Sequence, residues 1–379
     1  VAEIVGGGTP PTAVEKYWGG DIQWFTPTEI KNKYIVNSKR TITQVGLDTS
    51  SARLLPKGTL LFSSRATVGE IGIAVQECTT NQGFQSFIVN KDNDSEFLYN
   101  WIIKNKKEFI RRASGSTFLE IGKSEIKKIK SNIPLLSEQQ KIAAFLTAVD
   151  NKIEQLIKKQ ELLGEYKKGL MQQIFSQAIR FKADDGGDYP DWEELKLGEV
   201  ARFRRGSFPQ PYGNPEWYDD EDGKPFVQVY DVAGNMRLKS TTKRKISVLA
   251  QSSSVFVPKG NVVLTIQGSI GRIALTQYDA YVDRTLLIFT GYIKEVNKQF
   301  FIYVIYLLFE IEKIKAPGGT IKTITKEALT SFKLDLPCFD EQTKIANFLS
   351  SIDSKIEQVG KQLDESKQFK KALLQQMFV

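Results

Sequence analysis

Residues 137–156 read "SEQQKIAAFLTAVDNKIEQL", and residues 340–359 read "DEQTKIANFLSSIDSKIEQV". The similarity continues to the end of the chain without a gap, so that 19 of the 40 positions in 137–176 are identical in 340–379. An internal repeat shows how a chain is organised, because each copy is expected to form the same kind of unit. The repeat therefore predicts two similar halves, each ending in a similar helix.

Apolar residues in both copies recur at alternating steps of four and three residues. This spacing is typical of the stripe through which helices pack in a coiled coil. A 40-residue helix extends about 60 Å and needs a partner to bury such a stripe. We expect the copies to pair antiparallel, with one globular block at each end. The predicted packing residues are Ile142, Leu146, Val149, Ile153, Leu156, Ile345, Leu349, Ile352, Ile356, Val359 and Leu363.

Polar residues interrupt the two stripes, among them Lys167 in the first copy and Lys370 in the second. Ser137 and Asp340 stand just before the apolar runs, where we expect them to cap the helices. An incidental helical hairpin or a dimerisation rod is the alternative to a helix pair with its own function.

The segments before the helices are related more weakly. "LPKGTLLFSSRATVGEIGIA" (55–74) parallels "VPKGNVVLTIQGSIGRIALT" (257–276), and in each half short strand-like runs precede a helix pattern. This order predicts an α+β fold for each block, with a curved and largely antiparallel sheet plus helices, and a pseudo-twofold relation between the halves. The predicted divisions are a first block at 1–136, a central helical spacer at 137–180, an acidic linker at 181–195, a second block at 196–339 and a distal helical spacer at 340–379.

Only the second block has a lead-in, "DWEELKLGE" (191–199). The first block lacks an equivalent, and from this we expect that the chain start is truncated.

Composition restricts the chemistry that this chain can perform. It has 379 residues, no histidine and two cysteines, Cys78 and Cys338. Histidine is the commonest general acid or base and the commonest metal ligand, and two isolated thiols cannot build a zinc site alone. The few cysteines indicate a reducing, cytoplasmic setting, and no apolar run is long enough to cross a membrane.

The net charge of +8 indicates a polyanionic partner. The excess lies in the two blocks, where 1–136 has 18 basic against 13 acidic residues and 196–339 has 20 against 14. No catalytic signature accompanies this charge, because "GGGTPP" lacks the ending of a phosphate-binding loop and no GxSxG follows a strand. The sequence therefore predicts a binding protein without catalytic residues, metal ligands or a cofactor of its own.

Polar loops at matched places in the two blocks are the candidate DNA contacts. "FSSRATVG" (62–69) and "TIQGSIGR" (265–272) agree in position but differ in side chains, as expected if each block reads different bases. Arginine can pair with guanine, glutamine with adenine, and hydroxyls with phosphates, although any one of these residues could simply be solvated. The candidates are Thr9, Ser63, Ser64, Arg65, Gln82, Ser116, Thr117, Arg204, Arg205, Lys243, Arg244, Gln267, Ser269, Arg272, Arg284 and Lys322.

The whole pattern resembles the DNA specificity (S) subunit of bacterial type I restriction-modification systems. The resemblance is carried by "IPLLSEQQKIAAFLTAVDNKIEQLIKKQ" (133–160) and "LPCFDEQTKIANFLSSIDSKIEQVGKQL" (336–363), with "GGGTPP" and "NQGFQ" in the first block. It implies that the blocks are target-recognition domains, each reading one half of a split double-stranded DNA site, and that the paired helices set the gap between the halves.

The resemblance also implies partners. Two modification (methyltransferase) subunits would dock on the helices and bring S-adenosylmethionine, and restriction (translocase and nuclease) subunits would bring ATP and Mg. The S subunit itself would catalyse nothing. Two other functions stay open: a coiled-coil scaffold that binds DNA nonspecifically, and a self-contained nuclease or methyltransferase.

Overall fold

The computed structural model describes residues 1–115, 119–315, 324 and 326–378. The chain divides into two compact units, of which the first contains Val1–Lys159 with Val359–Val379 and the second contains Gln160–Gln358. Both divisions fall inside long helices, so each unit combines one globular block with a segment of each helix.

The described helices are α1 (Gln44–Asp48), α2 (Ser95–Lys104), α3 (Lys106–Arg111), α4 (Lys123–Lys127), α5 (Leu136–Phe175), α6 (Leu197–Val200), α7 (Val248–Gln251), α8 (Lys298–Lys315), α9 (Lys326–Thr330) and α10 (Phe339–Met377). The strands of the first unit are β1 (Ala2–Gly6), β2 (Trp18–Phe25), β3 (Tyr34–Ile35), β4 (Arg40–Ile42), β5 (Leu60–Phe62), β6 (Ile71–Ala74), β7 (Cys78–Thr80) and β8 (Gln85–Val89). Those of the second unit are β9 (Glu193–Lys196), β10 (Ala201–Arg205), β11 (Lys224–Val227), β12 (Arg244–Ile246), β13 (Val255–Val257), β14 (Val262–Thr265), β15 (Ile273–Leu275), β16 (Ala280–Val282), β17 (Leu286–Tyr292) and β18 (Lys333–Leu336).

The first unit contains two sheets, with strand orders β1-β8-β5-β6-β3 and β4-β2-β7. Most neighbours are antiparallel, but β3 runs parallel to β6 and β2 parallel to β7. On β5, Leu60 and Phe62 face a cluster with the helices, whereas Leu61 faces a second cluster that contains Phe25 and Cys78 of the other sheet. Successive side chains on a strand point to opposite faces, so the uniformly apolar β5 is covered on both sides.

The second unit repeats this arrangement. Its sheets have the orders β10-β17-β14-β15 and β12-β11-β16-β13, and β11 again runs parallel to β16. Val262 and Leu264 of β14 face the helices, while Val263 faces the second sheet. The expectation of one sheet per block is therefore corrected to two, because the central strands bury both of their faces.

The lead-in of the second block forms an element of its own. β9 pairs antiparallel with β18, and α6 follows it directly with Leu197 fully buried in the main core. Part of the predicted acidic linker is thus a strand, and α5 ends at Phe175, ahead of that linker.

The two long helices run antiparallel in each unit. In the first unit the beginning of α5 packs against the end of α10, with Leu146 and Leu373 in one apolar cluster. In the second unit Ile174 near the end of α5 and Ile345 near the beginning of α10 lie in one apolar cluster. α5 and α10 begin at Leu136 and Phe339, so Ser137 and Asp340 lie in the first turn and do not cap the helices as predicted.

Candidate DNA interface

Three of the candidate residues of the first unit take part in two polar pairs. The Thr9 hydroxyl donates to Gln82 Oε1 at 2.5 Å. Arg65 donates from Nε and Nη2 to Glu120 Oε2 at 3.0 and 2.8 Å, with its side chain 49% exposed. The structure therefore brings Thr9 and Gln82 together, and it holds the Arg65 guanidinium in an exposed ion pair.

Ser63 and Ser64 are fully buried. The Ser63 hydroxyl lies 2.9 Å from Thr67 Oγ1, and the Ser64 hydroxyl has no hydrogen-bond partner among the described residues. Both serines lie inside the fold directly after β5. Neither hydroxyl is therefore available to a ligand in this structure, and Ser63 and Ser64 are no longer candidate DNA contacts. Ser116, Thr117 and Lys322 lie outside the described residues.

The candidates of the second unit have more varied surroundings. Gln267, Ser269, Arg204 and Arg205 are exposed. Arg272 is also exposed and donates from Nη1 to the Val232 carbonyl at 3.3 Å.

Three of the candidate cations of this unit lie over tyrosine rings. The distances to the ring centroids are 4.9 Å for Lys243 over Tyr230, 3.8 Å for Arg244 over Tyr218 and 5.6 Å for Arg284 over Tyr212.

Arg40 and Trp18 of the first unit are residues that the sequence reasoning missed. The Arg40 guanidinium lies over the Trp18 ring, 3.5 Å from its centroid. A signal was available, because "KRTIT" (39–43) and "KRKIS" (243–247) are similar and begin equivalent strands. The stack itself could not be read from sequence, because it joins residues of two strands that are distant along the chain.

The predicted helix-packing residues are all buried or half-buried. Leu146, Leu156, Ile345, Leu349, Ile352, Val359 and Leu363 are buried, and Ile142, Val149, Ile153 and Ile356 are half-buried. In the first unit Ile142 and Val149 pack around Leu146, and in the second unit Leu349 packs beside Ile345.

A family model for the type I restriction modification DNA specificity domain matches residues 1–163 and 189–366. The chain belongs to this family. Its two matched segments include the two globular blocks and most of both long helices, as expected from the repeat.

Relatives of this DNA specificity protein match it along most of its length. It is 30% identical over 401 aligned residues to the type I restriction enzyme MjaIX specificity subunit of Methanocaldococcus jannaschii, with 99% of this chain and 90% of the relative covered. It is 26% identical to the putative MjaX specificity subunit of the same organism, with 90% and 83% covered.

Two solved structures share the fold. The S subunit of a type I restriction-modification system from M. genitalium is 17% identical, with a TM-score of 0.61 and coverage of 100% of this chain and 94% of that one. A chain from a study of complex assembly and conformational transition in the type I restriction-modification system is 18% identical, with a TM-score of 0.62 and coverage of 98% and 94%.

Matched polar contacts join the helices of this specificity protein. Lys167 Nζ lies 2.6 Å from Asp353 Oδ1 in the second unit, and Lys370 Nζ lies 2.5 Å from Asp150 Oδ1 in the first. Tyr303 donates its hydroxyl to Asp353 Oδ2 at 2.6 Å. Burial and this bond raise the pKa of the Tyr303 phenol, so the hydroxyl keeps its proton.

A buried glutamine also holds each block to its long helix. Gln139 accepts from the Asp94 amide at 2.9 Å and donates to the Pro134 carbonyl at 2.8 Å. Gln342, its equivalent 203 positions later, accepts from the Asn297 amide and donates to a proline carbonyl, both at 2.9 Å.

Among the described residues, no group of three or more Cys, Asp and Glu could hold a metal ion. None of the described helices is both long and apolar enough to cross a membrane.

Proposed function

We propose that this chain binds double-stranded DNA sequence-specifically as the specificity subunit of a type I restriction-modification complex. Each block is a target-recognition domain and reads one half of a bipartite site. One observation carries the proposal: the two blocks share strand order apart from the edge strands β3 and β13, yet the matched loops "FSSRATVG" and "TIQGSIGR" expose Arg65 in one block and Gln267 in the other. A repeated scaffold with exchanged loop residues suits the recognition of two different half-sites.

The helices fix the distance between the half-sites in this proposal. α5 and α10 each contribute a segment to both units and pair antiparallel in each. A helix advances about 1.5 Å per residue, so its length sets a spacing along DNA, where base pairs rise about 3.4 Å.

The proposed partners supply the chemistry. Two modification (methyltransferase) subunits would bind S-adenosylmethionine, and restriction subunits would bind ATP and Mg, while this chain holds no cofactor and catalyses no step. The proposed location is the cytoplasm, where the complex meets DNA.

Selection from a pool of random duplexes tests the proposal. The 379-residue chain is incubated with the pool, and the retained duplexes are sequenced. We expect two short conserved elements separated by a constant number of unselected base pairs. Retention without any sequence preference would favour the alternative, a coiled-coil scaffold with nonspecific DNA binding. Methyl transfer by the isolated chain would instead indicate an enzyme.

A further inference from the structure

Arg40 and Arg244 occupy the same place in the two units. Arg40 begins β4 and lies opposite Trp24 of β2. Arg244 begins β12 and lies opposite Phe226 of β11. β4 and β12 are edge strands of the second sheet in their units, next to β2 and β11 respectively. The two arginines are therefore equivalent in topology and in register.

Each guanidinium lies over an aromatic ring that is equivalent as well. Arg40 Cζ is 3.5 Å from the centroid of Trp18, and Arg244 Cζ is 3.8 Å from the centroid of Tyr218. Both rings belong to the residue directly after a 3-10 turn. A guanidinium stacked on a ring face directs its in-plane N–H groups away from the ring, and the ring restricts the orientation of the guanidinium.

The ring under Arg40 is itself fixed. Trp18 packs edge-on against Trp24 with centroids 5.0 Å apart, and its indole donates to the Pro11 carbonyl at 3.3 Å. The Trp24 indole donates to the Gly8 carbonyl at 2.9 Å. A Cβ on Gly8 would lie 2.3 Å from a backbone atom of Ser51 or Ala52, so this tightly packed loop requires glycine there.

The same loop links the Arg40 stack to the predicted DNA contacts. Thr9 lies between the two carbonyls that hold the indoles, and its hydroxyl bonds to Gln82. In the second unit, Tyr218 donates to the Tyr212 carbonyl at 2.9 Å.

The two arginines differ in exposure and in their charged neighbours. Arg40 is exposed, and no carboxylate among the described residues lies within ion-pair distance of it. Arg244 is 37% exposed, and its Nε lies 3.2 Å from Asp220 Oδ1.

We propose that Arg40 and Arg244 bind DNA phosphates, one in each half-site, with Trp18 and Tyr218 orienting their guanidinium groups. The inference rests on the proposed function. Contacts that differ between the units suit bases, which differ between half-sites, whereas a contact repeated in both units suits the phosphodiester backbone that both half-sites share. A planar guanidinium can bind a phosphate through two parallel hydrogen bonds.

The test measures binding of the full chain to two duplexes over a range of salt concentrations. One duplex is selected by the wild-type chain from a random pool, and the other has an unrelated sequence. Arg40→Ala and Arg244→Ala are each expected to weaken binding to both duplexes by the same factor, about tenfold. Each is also expected to reduce the slope of log affinity against log salt by about one.

Three further variants of the first unit separate the stack from charge alone. Arg40→Lys keeps the positive charge but lacks the planar guanidinium. The slope of log affinity against log salt is therefore expected to equal that of the wild type, whereas the affinity is expected to recover only in part. Trp18→Leu is expected to weaken binding while the slope stays unchanged. Arg53→Ala is the matched control, because Arg53 is 63% exposed, lies 3.8 Å from Glu3 and contacts no aromatic ring among the described residues. We expect its binding to stay within about twofold of the wild type.

Several outcomes would overturn this inference. They are a change of selectivity at a single base pair in Arg40→Ala or Arg244→Ala, unchanged affinity in both of these variants, and a loss of affinity in Arg53→Ala that equals theirs. Circular dichroism melting of every variant checks that the fold is intact. If the proposed function itself were wrong, the wild-type chain would show no preference between the two duplexes.

Discussion

Lys167 of α5 lies 2.6 Å from Asp353 of α10, and this pair explains why a lysine interrupts the apolar stripe. The equivalent residues of the other copy, Lys370 and Asp150, form the same pair at 2.5 Å. Polar residues within a helix interface favour one register over its alternatives, because a shifted register leaves them unpaired. We infer that the two pairs fix the alignment of α5 with α10 in their respective units.

Lys167→Met is expected to lower the free energy of unfolding of the second unit by about 2 kcal/mol, because it removes a hydrogen bond between charged groups. The Lys167 side chain is only 12% exposed, so solvent replaces the contact poorly. Urea unfolding measures the loss. Lys361→Met is the control, since Lys361 is 78% exposed and lies 3.9 Å from Glu365. Its effect is expected to stay below about 0.5 kcal/mol. Equal losses in the two variants would refute a special role for Lys167.

Gln342→Leu is expected to lower the free energy of unfolding by about 1–3 kcal/mol, because it leaves the Asn297 amide and the Pro337 carbonyl without their glutamine partner. Hydrogen exchange at the Asn297 amide is the direct measurement, and its protection should fall. Gln140→Leu, at an exposed position of α5, is the control and should leave that amide protected. Full protection of the Asn297 amide in Gln342→Leu would show that the glutamine does not hold α8 to α10.

Arg65→Ala is expected to relax the choice of bases in the first half-site only, and Arg272→Ala in the second only, because the two arginines lie in different units. Loss of one specific base contact costs about 1–3 kcal/mol of discrimination. Duplex selection repeated with each variant measures it. If both variants lost affinity equally on every sequence, the two arginines would be phosphate contacts.

The two cysteines are expected to differ in reactivity. Burial raises the pKa of the Cys78 thiol to about 12, and thiolate is the reactive form. Cys338 is half-buried. One equivalent of a thiol reagent should react with the native chain at neutral pH, at Cys338, and the second only after unfolding. Rapid labelling of Cys78 in the native chain would contradict the buried position on β7.

The repeat allowed the helix pair and the duplication of the blocks to be predicted, because 4–3 spacing and sequence identity are properties of neighbouring residues. The division of each block into two sheets was missed. Leu60-Leu61-Phe62 is uniformly apolar, so its periodicity does not show that alternate side chains face different partners.

Individual side-chain contacts were also harder to predict, because they join residues that are distant in sequence. The burial of Ser63 and Ser64 depends on elements distant in sequence, and so does the stacking of Arg40 on Trp18. Lys167 and Lys370 were visible as interruptions of the stripe, but their carboxylate partners lie on the opposite helix.

The claim that the paired helices set the gap between the two half-sites has a direct test. Seven residues that preserve the 4–3 spacing are inserted into both helices, after Lys159 and after Gln358, where the two units divide. The insertion adds about 10.5 Å to each helix, equivalent to about three base pairs. Duplex selection with this variant should return both half-sites unchanged and a gap about three base pairs longer. An unchanged gap, with both half-sites still bound, would contradict the claim.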